Sequence, residues 1–327
     1  MAPIIRCSAP GRAGIIGNPT DMYGGSVLSC SIMERATVTL KPSDRLILDS
    51  GTEQCLVESL DDLGLKGDYF DIAKVVLTGS ESTDIHAHIS WTTEVPFRAG
   101  LSGSTALLVS TLAAVLTYRN LQFTPYHMAE SARMIEYNHL GVFCGYQDAY
   151  MCTFGGINYM DFRGKEFHQP FGEDPYATIE PLSDCLLPIT LIITGGQRVS
   201  GMVHTPIRER WVAGEPAVVD AYNTIADLAR LGKKALLHGH LDELGRLMNE
   251  NQAISRSLGG SNPEDDHFIA LAQKAGALGA KLAGSSGAVM VLHPEPSAMI
   301  AAAREAGATD ILQPGPNSGL EIHTAAG

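Results

Sequence analysis

The chain has 327 residues, 45% hydrophobic and 18% charged, and its 23 Lys+Arg against 36 Asp+Glu give a net charge of −13. That length suits two packed domains and excludes a staple-dependent miniprotein. The negative charge opposes nucleic acid and anionic lipid as partners, while anionic small substrates stay admissible where Arg or Lys cluster locally.

Cys7, Cys30, Cys55, Cys144, Cys152 and Cys185 are scattered without a CxxC pair or a Cys/His ladder, so reduced thiols are expected. No window approaches the roughly 18–20 apolar residues of a membrane span. The opening MAPIIRCSAPGR reaches glycine and proline too early for a signal peptide, and a cytoplasmic protein is expected.

In chain order, short β-like runs separated by turns occupy 4–8, 26–32, 36–40, 46–48 and 86–95, the last alternating clearly. They imply an antiparallel or mixed sheet. The run STALLVSTLAAVLTY over 104–118 is apolar nearly all round and too long for a strand, so it reads as a buried helix behind a glycine-rich turn. Thr124 and Pro125 supply an N-cap and a first-turn proline for a helix to about Leu140, closed by Gly141. A strand entered through a glycine pair follows at 154–162.

The polar, proline-bearing stretch 165–184 has no sustained period, and the domain boundary is placed there, giving units 1–175 and 176–327. Beyond it the pattern predicts a strand at 187–194, helices at 216–231 and 241–254, a helix at 267–275, strands at 280–283 and 289–293, a helix at 296–306 and a strand at 310–312. Helices interleaved with short strands describe an α+β sandwich.

Three glycine-rich segments carry the candidate chemistry. There is no GxxxxGK[ST] and no GxGxxG opening a strand–helix unit. The segment 94–106, EVPFRAGLSGSTA, lies between a strand and the buried helix. It reads either as a plain β–α connection capped by Ser102 or Ser104, or as a cradle offering helix N–H groups to phosphate oxygens. The segment 10–25, PGRAGIIGNPTDMYGG, holds Arg12, Asn18 and Asp21 on a stiff Gly/Pro frame and reads as a solvated turn or as a pocket lining. The segment 141–156, GVFCGYQDAYMCTFGG, places Asp148 among apolar residues on a loop, with Glu136 on the helix before it. Asp148 is then a satisfied core acid or a general base.

In order and wording these segments resemble the GHMP kinase superfamily. The stretch 10–25 is similar to its first motif, 96–106 to its phosphate loop PxxxGLGSSAA, and KLAGSSGAVMV at 281–291 to its C-terminal glycine loop. The stretches RAGIIGNPTD, GLSGSTALLVSTL, GMVHTPIRERW and LMNENQAISRS are most like sugar-1-kinases of D-glucuronic acid, and GYQDAYMCTFGGINYMDF is also like heptose-7-phosphate kinases. The last loop departs from the family's run of glycines, since Ser285 and Ser286 stand between Gly284 and Gly287.

The resemblance implies an α+β, two-domain GHMP kinase-like fold, with an N-terminal mixed β-sheet with helices and a C-terminal ferredoxin-like α/β sandwich. It implies γ-phosphoryl transfer from ATP, with Mg2+, to a sugar hydroxyl, most of all the anomeric hydroxyl of D-glucuronic acid. Asp148 matches the catalytic aspartate, and Arg12 the basic residue beside it, which would favour the ionised acid and offset charge on the γ-phosphoryl group. Ser104 and Glu136 match the magnesium ligands. Pro96, Gly100, Leu101, Ser102, Gly103, Ser104 and Thr105 match the ATP segment, and Asn18 and Asp21 match residues that contact sugar hydroxyls. Gly284 and Ser285 are placed with the substrate.

A uronic acid carboxylate needs a cationic partner. Arg198 and Arg208 are candidates, with surface charges beside a domain junction as the alternative. Trp211 reads as packing. Other acceptors (a phosphorylated heptose, a neutral hexose, a mevalonate-like acid) and an ATP- and sugar-binding sensor without chemistry are the competing readings. The expected partners are small sugars, with no nucleic acid or membrane, and the expected state is a monomer or homodimer.

Overall fold

The structure, a computed structural model, describes residues 3–96, 98–165, 175–182, 187–195, 200–315 and 317–325, with the side chains of 200–204 excepted. Strands β1 (Ile4–Ile16) and β2 (Ser26–Pro42) form a long antiparallel hairpin, with register shifts between Pro10 and Arg12 and between Gly14 and Ile16. The Gly/Pro segment expected to be a turn from residue 10 therefore continues the strand to Ile16. Pro10 lacks an N–H, and the shift beside it is where an antiparallel ladder accommodates the loss. The turn comes later, through the cis Asn18–Pro19 bond and a 3-10 turn at Thr20–Met22.

The predicted runs 26–32 and 36–40 are one strand. At 33–35 the sequence pattern breaks because β2 changes neighbour, pairing β6 (Ile157–Asp161) over its first half and β5 (Ala87–Thr93) over its second. Strands β3 (Leu46–Asp49) and β4 (Gln54–Val57) extend that side, with β3 parallel to β5. On the other side β7 (Thr178–Pro181) pairs β6, and the last strand, β12 (Glu321–Ala325), pairs β1. Both lie beyond residue 175, so part of the second half of the chain completes the first sheet.

Helices α1 (Asp71–Gly79), α2 (Gly103–Tyr118), α3 (Pro125–Asn138) and α4 (Gln147–Phe154) pack with that sheet around the first core, which includes Val38, Leu40, Leu108, Ala113 and Tyr150. Every residue of α2 from Thr105 to Val115 is buried, as its all-round apolar sequence requires. Thr124 caps α3 by accepting from the His127 N–H, with Pro125 at the first turn. Helices α1 and α4 were not expected.

The second sheet runs β11-β8-β10-β9, all antiparallel, where β8 is Ile189–Ile193, β9 Gly279–Leu282, β10 Ala288–Leu292 and β11 Asp310–Leu312. Period-two alternation splits its side chains. Leu191, Ile193, Met290 and Leu292 join β1, β2 and helices α6 (Pro216–Leu237) and α7 (Leu241–Ser257) in a second core. Ile192, Val289 and Val291 face α8 (Pro263–Lys274) and α9 (Pro296–Glu305). Helix α5 (Ser200–Val212), also unexpected from the sequence, packs on α6. The architecture is the expected α+β arrangement of a large mixed sheet and a small antiparallel one.

Among the described residues Cys7, Cys30, Cys55, Cys144 and Cys152 are free thiols. No helix there is long and apolar enough to cross a membrane.

Candidate active site

Asp148 sits in the first turn of α4, not on a loop as the glycine-rich wording of 141–156 suggested. The helix is eight residues long, and its N-cap residue, Tyr146, makes no side-chain cap bond. The cap comes instead from Asp21, whose Oδ2 accepts the Gln147 N–H at 2.9 Å from across the fold. An acid at a helix amino end satisfies an orphan donor and complements the helix dipole. Gln147 Nε2 also donates to Ser29 Oγ at 3.0 Å, which ties the same turn to β2.

Arg12, on β1 and largely buried, reaches Asp148 with two nitrogens. Its Nε donates to Asp148 Oδ1 at 2.7 Å, and Nη2 lies 2.6 Å from the same oxygen. Among the described residues no donor to Oδ2 is recorded, and the Asp148 side chain is 25% exposed. Arg12 Nη1 donates to the carbonyls of Gly100 (2.7 Å) and Ala283 (3.3 Å), so one guanidinium on the 10–25 segment joins 94–106, 141–156 and the C-terminal glycine loop 281–291.

Two further carboxyls share this corner. Burial pushes Asp21 up to about 6, with Asp148 adding to the rise against the opposing Gln147 N–H and Arg12. Burial also pushes Glu136, on α3, up to about 7, with Asp148 again raising it and the Thr105 hydroxyl lowering it. Thr105 Oγ1 donates to both Glu136 oxygens, at 3.1 and 3.0 Å. The residue next to it, Ser104, is exposed at the amino end of α2. Asp148 therefore acts on Glu136 electrostatically, and Thr105 rather than Ser104 is the direct partner of Glu136.

The loop before α2 has left-handed residues at Arg98 (φ 54), Gly100 (φ 67) and Ser102 (φ 62), alternating with residues of ordinary φ. Such alternation turns successive N–H groups into a concave anion site. Ser102 does not cap α2 with its side chain, and among the described residues its buried hydroxyl has no hydrogen-bond partner. The first α2 turn also presents N–H groups without helical acceptors. These donors fit triphosphate oxygens. Leu101 is buried, its carbonyl accepting the Arg12 N–H at 3.0 Å, while Pro96 is half-buried at the start of the connection.

Among the described residues no cluster of three or more His, Cys, Asp or Glu forms a closed metal cage. A magnesium ion held by Ser104 and Glu136 would therefore complete its shell with phosphate oxygens and water, the habit of that ion.

The C-terminal glycine loop 281–291 packs against the 94–106 segment. A Cβ on Gly284 would lie 2.1 Å from the Gly100 carbonyl oxygen, and one on Gly100 would lie 2.6 Å from that of Ser286. Both positions need glycine for this approach. Ser286 instead fastens the loop to α8, its Oγ accepting from Asn262 Nδ2 at 2.9 Å, and Asp265 accepts from the Gly287 N–H. Serine therefore has an anchoring contact where the family's run of glycines is interrupted, and Ser285 is half-exposed beside Gly100.

Asn18 is half-buried and accepts a hydrogen bond from Lys281 Nζ at 2.8 Å. Nothing local in the sequence singles out Lys281, because only the fold brings β9 beside the 14–18 segment. The Arg208 guanidinium lies 4.4 Å over the Phe143 ring, and Arg198 falls outside the described residues. Trp211 packs on Tyr23 with ring centroids 4.9 Å apart, as expected of a packing residue. Two cavities of about 320 and 550 Å3 lie along α6, and neither is lined by Arg12, Asp148 or the 98–104 loop. Chemistry rather than volume marks the site.

Three family models match the chain: the galactokinase galactose-binding signature over residues 2–42, the GHMP kinases N terminal domain over 70–156 and the GHMP kinases C terminal over 233–311. Glucuronokinase 1 of Arabidopsis thaliana is 32% identical over 306 residues, covering 87% of this chain and 83% of that protein. The D-glycero-alpha-D-manno-heptose 7-phosphate kinase of Campylobacter jejuni is 26% identical, covering 90% of each. Among solved structures, a D-glycero-D-manno-heptose 1-phosphate kinase from Bacteriodes thetaiotaomicron superposes with a TM-score of 0.76 at 23% identity, covering 99% of this chain and 100% of that one. Galactokinase from Lactococcus lactis complexed with galactose gives a TM-score of 0.76 at 19% identity, covering 97% and 95%. With its glycine segments joined by one arginine and relatives matched along most of its length, the chain belongs to the GHMP kinase family.

Proposed function

We propose that the chain is an ATP-dependent sugar kinase that phosphorylates the anomeric hydroxyl of D-glucuronic acid. The observation that carries this reading is the clamp of Arg12 on Asp148 Oδ1, which leaves Oδ2 for a substrate proton beside the amino end of α2. Identity of 32% and 33% to the proteins named glucuronokinase 1 and probable glucuronokinase 2 supports the acceptor.

When bound, MgATP supplies the γ-phosphoryl group, which bonds to the acceptor oxygen as the bond to ADP breaks. Asp148 Oδ2 takes the proton of the attacking hydroxyl while Arg12 holds Oδ1 and keeps the carboxylate oriented. The N–H groups of 100–103, with the Ser102 hydroxyl, hold phosphate oxygens, flanked by Pro96 and Thr105. Ser104 and Glu136 would hold Mg2+, with Glu136 ionised to do so. Asn18, Asp21, Gly284 and Ser285 border the sugar, and Arg198 or Arg208 meets its carboxylate.

In this reading residues 1–175 carry the nucleotide site and 176–327 close the acceptor side, apart from β7 and β12. The enzyme is taken as cytoplasmic, acting on small molecules as a monomer or homodimer. A phosphorylated heptose is the second reading, favoured by the Campylobacter relative.

The test is a phosphorus NMR spectrum of the products from D-glucuronic acid and MgATP. The expected spectrum contains ADP and a phosphomonoester coupled to the anomeric proton. Turnover only with heptose 7-phosphate would establish the second reading. Sugar binding by calorimetry with no ADP from any acceptor would make the chain a sensor.

A further inference from the structure

Lys281, on β9, is 1% exposed, and its three N–H donors meet three neutral oxygens: Asn18 Oδ1 at 2.8 Å, the Gly14 carbonyl at 3.3 Å and the Leu282 carbonyl. No carboxylate among the described residues forms an ion pair with it. Burial, with Arg12 as the nearby like charge, pushes its amine down to about 7. A buried cation without a counter-charge is a poor device for stability. The placement calls for another explanation.

Asn18 turns its amide oxygen to Lys281 Nζ, which donates to it at 2.8 Å, and the same oxygen is the atom lying against Gly14. That leaves Nδ2 pointing away from Lys281, and no protein acceptor for it is recorded among the described residues. The backbone is prepared for the same pose. A Cβ on Gly14 would lie 2.6 Å from Asn18 Oδ1, so only glycine admits the side chain there. The preceding Gly17 N–H is held by Asn251 Oδ1 at 3.0 Å.

We propose that Lys281 is a positioning residue for the acceptor site, fixing Asn18 so that it meets the acceptor as a hydrogen-bond donor toward a substrate oxygen. The inference rests on the sugar-kinase reading above. Lys281 itself touches no substrate, since all its donors are used within the protein. A site that presents only N–H at this point selects a hydroxyl lone pair or a carboxylate oxygen. An acceptor offering only a donor there leaves a buried polar group unpaired.

The experiment uses two complementary variants of the full chain with D-glucuronic acid and MgATP. Lys281→Met keeps the presented amide and removes what holds it. Asn18→Asp keeps an oxygen for Lys281 and replaces the outward N–H2 by an acceptor. Each is expected to raise KM for the sugar about 10- to 100-fold, the scale of one lost hydrogen bond to a charged group. KM for ATP should stay within about twofold.

In an Asn18→Ala background, Lys281→Met should add less than about twofold, because the lysine acts through Asn18. An undiminished Lys281→Met effect in that background would overturn the proposal, as would normal sugar affinity in Asn18→Asp.

If the wild type phosphorylates no sugar, the functional reading fails first, and Lys281 is judged without activity. The Asn18 side-chain amide pair, assigned by its loss in Asn18→Ala, should move toward free-amide positions in the 15N spectrum of Lys281→Met. An unmoved pair would refute the positioning role.

Discussion

Helix α4 is held by two buried charge networks that differ in how completely they are satisfied. On one side Tyr150 donates to Glu130, Lys165 Nζ lies 3.0 Å from the same Glu130 oxygen and donates to the Pro175 carbonyl at 2.9 Å, and the Ala177 N–H closes on Tyr150 Oη at 3.2 Å. One acid meets one base there, each with further partners. On the other side Asp148, Asp21 and Glu136 gather around Arg12, and two of the three carboxyls are pushed well up. A closed network specifies packing, whereas three crowded acids, opposed by Arg12 and, at Glu136, by Arg133, leave groups ready to exchange protons. The difference teaches where on one short helix structure ends and chemistry begins.

The strongest way to break that contrast is Asp148→Asn. It keeps the shape of the side chain and removes the base, so kcat should fall about 10²- to 10⁴-fold, with ATP affinity by calorimetry nearly unchanged. Full turnover in this variant would make the crowded network as structural as its neighbour.

Lys165→Met tests the opposite side. Leaving Glu130 buried without its cation should cost about 3–5 kcal/mol, read as a lowered urea midpoint. The kcat of the folded fraction should change little. A variant of wild-type stability but low kcat would reverse the assignment of the two networks.

The smallest effect is a pH slope. Asp21 and Glu136 hold protons in the folded protein, up to about 6 and 7, that the unfolded chain releases near its ordinary values of 3.8 and 4.5. Their contribution to stability is full below those ordinary values and is lost as pH rises through the folded ones. The urea midpoint of the metal-free protein should therefore decline between about pH 4 and pH 7, and Glu136→Gln should flatten part of the slope. A flat wild-type profile would remove the crowding argument for Glu136.

Much of this was legible from residue order alone. The buried helix α2, the Thr124 cap of α3 and the alternating strands of the small sheet follow from local periodicity and capping chemistry, which act over a few residues. The helical placement of Asp148 was not legible, because its cap is supplied by Asp21, 126 positions away. Strand β2 was read as two because its pattern records a change of neighbours that no local window contains.

The same division holds for the site. Sequence by itself determined which residue types are present and their order along the chain: a guanidinium, a glycine-rich turn before an apolar helix, and two carboxylates beyond it. Only tertiary structure decided that Arg12 spans all three segments, that Thr105 is the partner of Glu136 and that a buried lysine holds Asn18. The reason is physical. Local propensity reports the cost of bending the backbone, while burial and charge pairing depend on which distant segments share one small, water-poor volume.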